Sequence, residues 1–571
     1  MEKIYLYILT IFTLTCSGCG DFLNVEPENS VTYTNYFKTV QDAETLLAGI
    51  EYWVKDYHIG SGLMYPEEHC KTAMLLDVYV GDIKEAKDME PGAHTSSPKR
   101  LYQTLEQIHM LLDNIHRFEL PKETIHPYEL QAHFYRALTY FHLAREFGSV
   151  PIIKNYKEYL AVPQSPLKDV LDEAEKSALI ALELPKFEEL TDGFGEPRNS
   201  KQYASKGAVA ALLAQLYAWR AAVENKPEYW EEAEKYCNMI ISGEAGNYAL
   251  AENPQELCNT TLMGESSEGI WEILNTRASG EFSLSEGDQY PTRECWYLNG
   301  YPVRTESSYA PSPDLEVQFY KERAKRMFDK DDRRRDAYFY ALDADTLYVV
   351  YDKASGEMLQ KYSVPEGDGH AYYALNRETW SAEPTDRLLN PGDTLSAKYD
   401  NTVIRSAFVL KYRNAVYVED SYSQEPFCLG IEQNRVYWRL ADIYLLRAEC
   451  RAYQNDPQAA DDLNEIRRRA YGSRDHDYSA AEGDIKVAIF REREKELLFE
   501  DHRWYDIVRN GWNHLHGHVD YDFVRKELPA AYANLTDQDI LDGALYLAFT
   551  ADMFERNEYI RQNVFWNKKL Q

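Results

Sequence analysis

The sequence is short of positive charge. Its 62 Lys and Arg stand against 94 Asp and Glu, a formal net charge of −32. Such a surface repels phosphate backbones, whose binding rests on clustered Lys and Arg, so nucleic acid is not expected as a partner. The basic run Arg333-Arg334-Arg335 is flanked by Asp332 and Asp336 and does not reverse this. Long apolar runs are missing too. Beyond the leader none reaches the roughly 18 residues of a membrane-spanning helix. Cysteine is sparse: past Cys19 there remain Cys70, Cys237, Cys258, Cys295, Cys428 and Cys450, with no C-x-x-C pair among them, so no zinc site is signalled. A chain of this size needs no disulfides to hold its core. These cysteines read as buried small hydrophobes, with one pair at most open to oxidation. The nucleophile elbow G-x-S-x-G, the zinc motif H-E-x-x-H and the P-loop are all absent, and no cofactor is expected. Ser165-x-x-Lys168 matches a nucleophile motif only by letters, because Pro166 and the apolar stripe after it make a helix start.

What is present begins at the N-terminus. Lys3, the apolar stretch Ile4 to Thr15 and the small residues Ser17 and Gly18 lay out a secretory signal, residues 1–18. Cys19 directly after the small residues reads as a bacterial lipoprotein acceptor whose thiol takes the lipid. Cys16 stands where a Leu is usual and is the rival acceptor, with a plain secreted protein as the alternative.

Helical periodicity fills two blocks. From Glu129 to Phe147, Leu130, Phe134, Leu138 and Phe141 share a face, with Gly148 as cap and Pro151 as stop. Ser165 as N-cap and Pro166 at the first helical position open a helix striped by Leu167, Val170, Leu171, Ala174, Ala178 and Leu182. Tyr203 to Val223 and Tyr229 to Ile241 follow. In the second block Val436, Leu440, Ile443 and Leu446 make one stripe. Asp456-Pro457 opens the partner helix, with Leu463, Ile466 and Ala470 inward and Gly472 closing it. The span from Val436 to Ala470 has the length of a tetratricopeptide unit. Glu482 to Arg509 reads as one further long helical region, and 54–100 and 511–545 read as loops. Between the blocks, residues 244–435 hold many of the prolines and glycines. Thr346 to Tyr351 and Met358 to Ser363 around Ala354-Ser355-Gly356 predict a β-hairpin there. The expected fold is mostly all-α: tetratricopeptide-like helix pairs (19–243 and 436–571) carrying a long, irregular, partly β insert (244–435). Regular repeats serve as scaffold, so recognition falls to the insert.

Two clusters bear on chemistry. Glu492, Glu496 and Glu500 at i, i+4 and i+8 would lie on one helix face. Glycosidase carboxylates must face each other across a cleft, so these three read as a structural ion-pair network with Arg493, Arg503 and Arg509. No catalytic residue is assigned. His514, His516 and His518 alternate in a segment read as a loop with Gly511 and Gly517, a weak transition-metal candidate.

Several segments resemble the SusD/RagB family of nutrient-binding lipoproteins. They are Cys19-Gly20-Asp21-Phe22-Leu23-Asn24-Val25-Glu26-Pro27, Arg136-Ala137-Leu138-Thr139-Tyr140-Phe141 with Phe147-Gly148-Ser149-Val150-Pro151, and Ser267 to Ile273. Lys411-Tyr412, Trp438 to Glu449, Asp462 to Ala470, and Glu492-Arg493 through Arg509 continue the match. The segments at Ser267 and Lys411 correspond to short strands of the insert. The chain departs from the family in having Asp501 where Gly is frequent, and in its C-terminal Ala548-Phe549-Thr550 and Gln562-Asn563-Val564-Phe565. The resemblance implies a lipid-anchored protein on the outer face of the outer membrane, held by Cys19. It further implies a SusC-like TonB-dependent transporter as partner, over which the protein acts as a lid, and an oligosaccharide or, less often, a peptide as ligand. The platform would be Arg293, Trp296, Tyr297 and Tyr301 with Tyr290 adjacent, in the part of the insert where the family carries binding aromatics. Tyr65 and Tyr79 are secondary candidates. Aromatic faces stack on sugar faces while Arg and Tyr hydroxyls read ring hydroxyls. A secreted glycan hydrolase and a pure protein–protein adaptor are the alternatives.

Overall fold

A computed structural model describes residues 36–60, 95–157 (save 97), 161–275 (save 265), 321–343 (save 341), several short strands and turns between 348 and 431, and 433–570 (save 529). Among the described residues, ten long helices form the scaffold. They are α1 Val40–Lys55, α2 Lys99–Leu112, α3 Lys122–Phe147, α4 Leu167–Ala181, α5 Lys206–Val223, α6 Glu228–Ile241, α7 Leu440–Tyr453, α8 Ala459–Tyr471, α9 Ile485–Glu496 and α10 Arg503–Leu515. They pack as neighbours in sequence: α3 on α4, α5 on α6, α7 on α8. The pair α5–α6 then docks on α7, so the two helical blocks share one core.

The helices start and stop for local reasons. Thr39 caps α1 by accepting from Asp42 N–H, and the Asp42 carboxylate accepts in return from Thr39 N–H, a reciprocal capping box. Gly148, at φ 73°, ends α3 in a conformation costly for any residue with a Cβ. In α5 nearly every side chain is buried and the run Ala208 to Ala214 is rich in alanine, which lets α3, α4, α6 and α10 approach closely.

Four boundaries differ from the sequence expectation. Pro166, not Ser165, occupies the N-cap of α4, and no side chain caps that helix; Ser165 belongs to a short strand paired with Val150. Val436 lies in a strand, Arg435–Arg439, and α7 starts only at Leu440. The long region Glu482 to Arg509 is broken. α9 ends at Glu496, and Phe499 (φ 63°) and Asp501 (φ 64°) turn the chain sharply into α10. Segment 511–545 is not loop: α10 runs through Gly511, and short helical turns Phe523–Glu527, Ala530–Asn534 and Asp537–Leu541 follow. The divergent C-terminus packs inward, with Phe549 stacked on Phe147 at 5.2 Å and Trp566 fully buried.

Strands are short. Gly269–Ile273 pairs antiparallel with Arg435–Arg439. The predicted hairpin is present as Tyr348–Asp352 against Glu357–Lys361, extended by Tyr372–Ala374 and Leu388–Leu389 into a four-stranded sheet. Phe408–Val409 pairs with Phe339–Tyr340, so the strand lies just before Lys411-Tyr412 rather than on it. Among the described residues no helix is long and apolar enough to cross a membrane.

Candidate functional site

Cys19, Tyr65, Tyr79, Tyr290, Arg293, Trp296, Tyr297 and Tyr301 lie outside the described residues. Their points of departure from the scaffold lie within them. The segment holding Tyr290 to Tyr301 leaves after strand Gly269–Ile273. Trp271 of that strand donates from Nε1 to Gln202 O at 2.7 Å, Leu274 N–H donates to Gln202 Oε1 at 2.9 Å, and Asn275 N–H donates to Asn434 Oδ1 at 3.1 Å. The segment holding Tyr65 and Tyr79 leaves after the π-helical turn Asp56–Gly60 that ends α1. In that turn His58 O accepts from Arg435 Nη1 at 2.8 Å, and the His58 ring lies 5.1 Å from Tyr437 and 6.3 Å from Trp271. The described ends at Gly60 and Asn275 therefore lie at one patch, built on the strand pair with His58, Trp271 and Tyr437.

The patch is held from below by polar contacts. Arg145 stacks on Tyr505 at 3.8 Å and donates to the Tyr437 hydroxyl at 3.1 Å. Glu146 accepts from Tyr57 and from Tyr505, at 3.0 Å for the latter. Burial, with the Glu146 charge beside it, pushes the Tyr57 hydroxyl well above its usual range, so it stays a donor. A cavity lined by Arg145, Gln215, Tyr437, Tyr505 and Asp506 has room for about one water, too small for a sugar. Glu272, on the same strand as Trp271, is buried. Desolvation pushes its carboxyl up to about 7 against the opposing pull of Lys201 and Asn434.

The acidic triple is structural, in a different arrangement from the expected one. Glu492 and Glu496 lie on α9, whereas Glu500 sits in the turn after it and is no longer on the helix face. Arg439 joins two of them to Glu268: it donates to Glu496 Oε1 at 2.7 Å, to Glu268 Oε1 at 2.8 Å and to Glu500 Oε2 at 2.7 Å. Arg469 bridges Glu268 and Glu496, Lys411 donates to Glu500 Oε1 at 2.5 Å, and Arg334 pairs with Asp332 at 2.8 Å and Glu492 at 2.6 Å. Burial would raise these carboxyls, but the surrounding cations override it. Arg439 and Lys411 hold Glu500 down at about 2, and Arg469, Arg439 and Arg334 hold Glu496 well below the carboxylate range. A glycosidase acid needs the opposite shift and access to a cleft. The expected countercharges serve elsewhere. Arg493 pairs with Asp442 and Asp506, Arg509 with Glu449 and Asp506, and Arg503 with Glu494 and Glu527. The sequence reading missed Glu268, Arg334, Arg439 and Arg469. No local signal pointed to them: α9 carries Lys486, Arg491, Arg493 and Lys495 beside Glu492, Glu494 and Glu496, so its own cations already match its acids in number.

The three histidines do not converge. His514 Nδ1 lies 3.0 Å from Val519 O, His518 Nε2 lies 2.7 Å from Asn225 Oδ1, and His516 stacks on Trp512. Among the described residues no three His, Cys, Asp or Glu side chains form a metal-holding group.

Comparison with known proteins places this architecture. A sequence profile of the SusD family matches residues 267–569, and one described as starch-binding associating with outer membrane matches residues 21–218. SusD-like protein P25 of Formosa agariphila is 23% identical over 543 residues, 90% of each chain. SusD-like protein P2 of the same organism is 22% identical over 530 residues, 89% of this chain and 90% of the relative. Among solved structures, a SusD homolog from Bacteroides thetaiotaomicron superposes with a TM-score of 0.60 at 18% identity, covering 92% of this chain and 98% of its own. A laminarin-binding SusD-like protein superposes with a TM-score of 0.59 at 18% identity, covering 92% and 99%. With its helical-pair scaffold, its insert and profile matches over most of its length, the chain belongs to the SusD/RagB family.

Proposed function

We propose that this protein is a glycan-binding lipoprotein anchored by Cys19 to the outer face of the outer membrane, where it delivers an oligosaccharide or polysaccharide to a SusC-like TonB-dependent transporter. The observation that carries the reading is the shared patch at His58, Trp271 and Tyr437. The described ends at Gly60 and Asn275, which precede the segments with Tyr65 and Tyr79 and with Tyr290, Arg293, Trp296, Tyr297 and Tyr301, both lie at it. The laminarin-binding neighbour makes a β-glucan a sensible first ligand to try. A carrier must release its cargo, which suits a few stacked aromatic rings better than a deep charged pocket. The protein binds and does not cleave: Glu492, Glu496 and Glu500 are spent on buried cations.

Calorimetry of the purified soluble form against a glycan panel containing laminarin tests the platform. Truncating a central aromatic anchor often costs about 2 kcal/mol, roughly thirtyfold in Kd. Trp296→Ala is expected to weaken binding at least tenfold with the melting temperature near wild type. Unchanged binding would remove this tryptophan from the site. Turnover of any panel member would favour the hydrolase, and no glycan binding at all the adaptor. Cys19→Ala is expected to move the protein from the membrane to the soluble fraction, because each buried acyl CH₂ contributes about 0.8 kcal/mol. Release by Cys16→Ala instead would reassign the anchor.

A further inference from the structure

Cys237 and Cys450 sit on the two helices that join the helical blocks. Cys237 is on α6, the last helix before the insert, and Cys450 on α7, the first after it. Three contacts give the register of these helices. Asn238 Oδ1 accepts from Arg447 Nη1 at 2.7 Å, Glu234 accepts from Arg451 Nε at 2.9 Å, and the Trp230 ring stacks on Tyr453 at 4.7 Å. Moving back along α6 moves forward along α7, so the helices run antiparallel. Cys237 and Cys450 fall within that register, and both are fully buried in the same apolar core. Cys237 and Cys450 each lie on the face of their helix that meets the other helix, one turn or less from these contacts. Cys258, the other described free cysteine, is directed elsewhere, its sulfur 3.7 Å from Ala337 O.

We infer that Cys237 and Cys450 form a disulfide that staples the N-terminal helical block to the C-terminal one across the base of the insert. The reaction is thiol–disulfide exchange. A thiolate from one cysteine attacks a disulfide oxidant, expelling one of its sulfurs as thiolate. The second cysteine, deprotonated in turn, then displaces the remaining oxidant sulfur. One S–S bond forms in the protein and one breaks in the oxidant, whose two sulfurs leave with the two electrons and take up the two thiol protons through solvent. Burial pushes the Cys450 thiol well above its ordinary range, which makes it a poor nucleophile once folded, so the bond forms while the chain is still open. An exported chain meets disulfide oxidants at that stage. The in-cell occurrence of the bond thus rests on the outer-membrane placement, but its geometric basis does not. The staple closes a loop on the order of 200 residues, for which the entropic restriction of the unfolded chain is large.

The test uses purified full-length protein, reduced and unfolded, then refolded in a buffer of reduced and oxidised glutathione. Peptide mapping after alkylation in denaturant is expected to recover a cross-linked peptide pair containing Cys237 and Cys450. The intact mass should be lower by two hydrogens, and the melting temperature should fall by several degrees when reductant is added. Free alkylated Cys237 and Cys450, glutathione adducts on them, or a link from either to another cysteine would overturn the inference. Cys450→Ser, refolded in parallel, should lose the cross-link and the sensitivity to reductant together. Sensitivity retained in that variant would also overturn it. None of these outcomes depends on where the protein resides, which fractionation of Cys19→Ala tests separately.

Discussion

The α5 helix and the α9 helix are both buried, by opposite means. α5 is wrapped in alanine, leucine and valine, and its one deeply buried cation, Arg220, reaches out to Glu175, Asp172 and Glu224 near the surface. α9 buries Glu492, Arg493 and Glu496, and its neighbours answer with Arg334, Arg439, Arg469 and Asp506. Apolar contact is non-directional and tolerates sliding and repacking. A buried guanidinium that must meet three carboxylates tolerates neither. The comparison teaches that the helical block is held by area, while the junction with the insert is held by geometry. A buried ion pair is weak evidence of net stability, but losing one partner strands the other.

That contrast is open to direct attack. The largest effect is expected from Glu496→Ala, which leaves Arg439, Arg469 and Arg334 short of a counterion and should cost about 3–5 kcal/mol in urea unfolding. A cost below about 1 kcal/mol would mean that water replaces the carboxylate and the junction is not geometrically held. Next, Leu213→Ala in α5, which is fully buried, should cost about 2–4 kcal/mol through lost burial and a cavity. This loss should be the same at pH 7 and pH 4, since no titrating partner is involved.

Acid should separate the two regions. Carboxyls with folded pKa values below their ordinary value of 4.5 add stability above that pH and lose it as the pH falls through the folded value. For Glu500 that window runs from 4.5 down to about 2, and for Glu496 it extends lower still. A pH titration followed by near-ultraviolet circular dichroism should show tertiary signal lost inside this window while helical signal persists. Simultaneous loss of both would show one cooperative unit rather than two differently built regions. The smallest effect is expected from Asp501→Gly. Removing a left-handed non-glycine residue gains about 1 kcal/mol, and losing the largely buried pair with Arg435, which keeps His58 O as an acceptor, returns about the same. The net should stay within about 1 kcal/mol in either direction. A larger loss would show that the Arg435 pair pins the turn.

What was legible in the sequence follows the reach of each force. The stripes of α3 and α4 repeat every three to four residues and could be read because helix geometry is local. The Tyr348–Asp352 hairpin was equally plain, with alternating residues around a glycine-containing turn. Boundaries failed where chemistry gave no punctuation. Nothing between Arg439 and Leu440 separates strand from helix, and the turn after α9 uses Phe499 and Asp501 in a conformation usually signalled by glycine. The only hint was the glycine that relatives often carry at position 501. The ionic junction was half legible. Three acidic residues on or near α9 were visible as a network, but their partners come from positions as distant as Arg334 and Lys411, and no local period reports such pairings. The same limit hid the meeting of His58 with Arg435, two residues far apart in the sequence.

The ribbon formed by Gly269–Ile273 and Arg435–Arg439 has one more consequence. Ile273 lies directly opposite Arg435, so the ribbon closes the chain between them into a loop, which Arg334 and Lys411 pin again to the C-terminal block. The entropy of closing such a loop grows only logarithmically with its length, about 0.6 kcal/mol per doubling. Residues can be added to, cut from or rewritten between these ties with little change in that cost, provided the ribbon and the buried cations Arg334, Lys411 and Arg439 are kept. The molecule is thereby laid out as a chassis with an exchangeable cartridge, whose middle can change without rebuilding the frame.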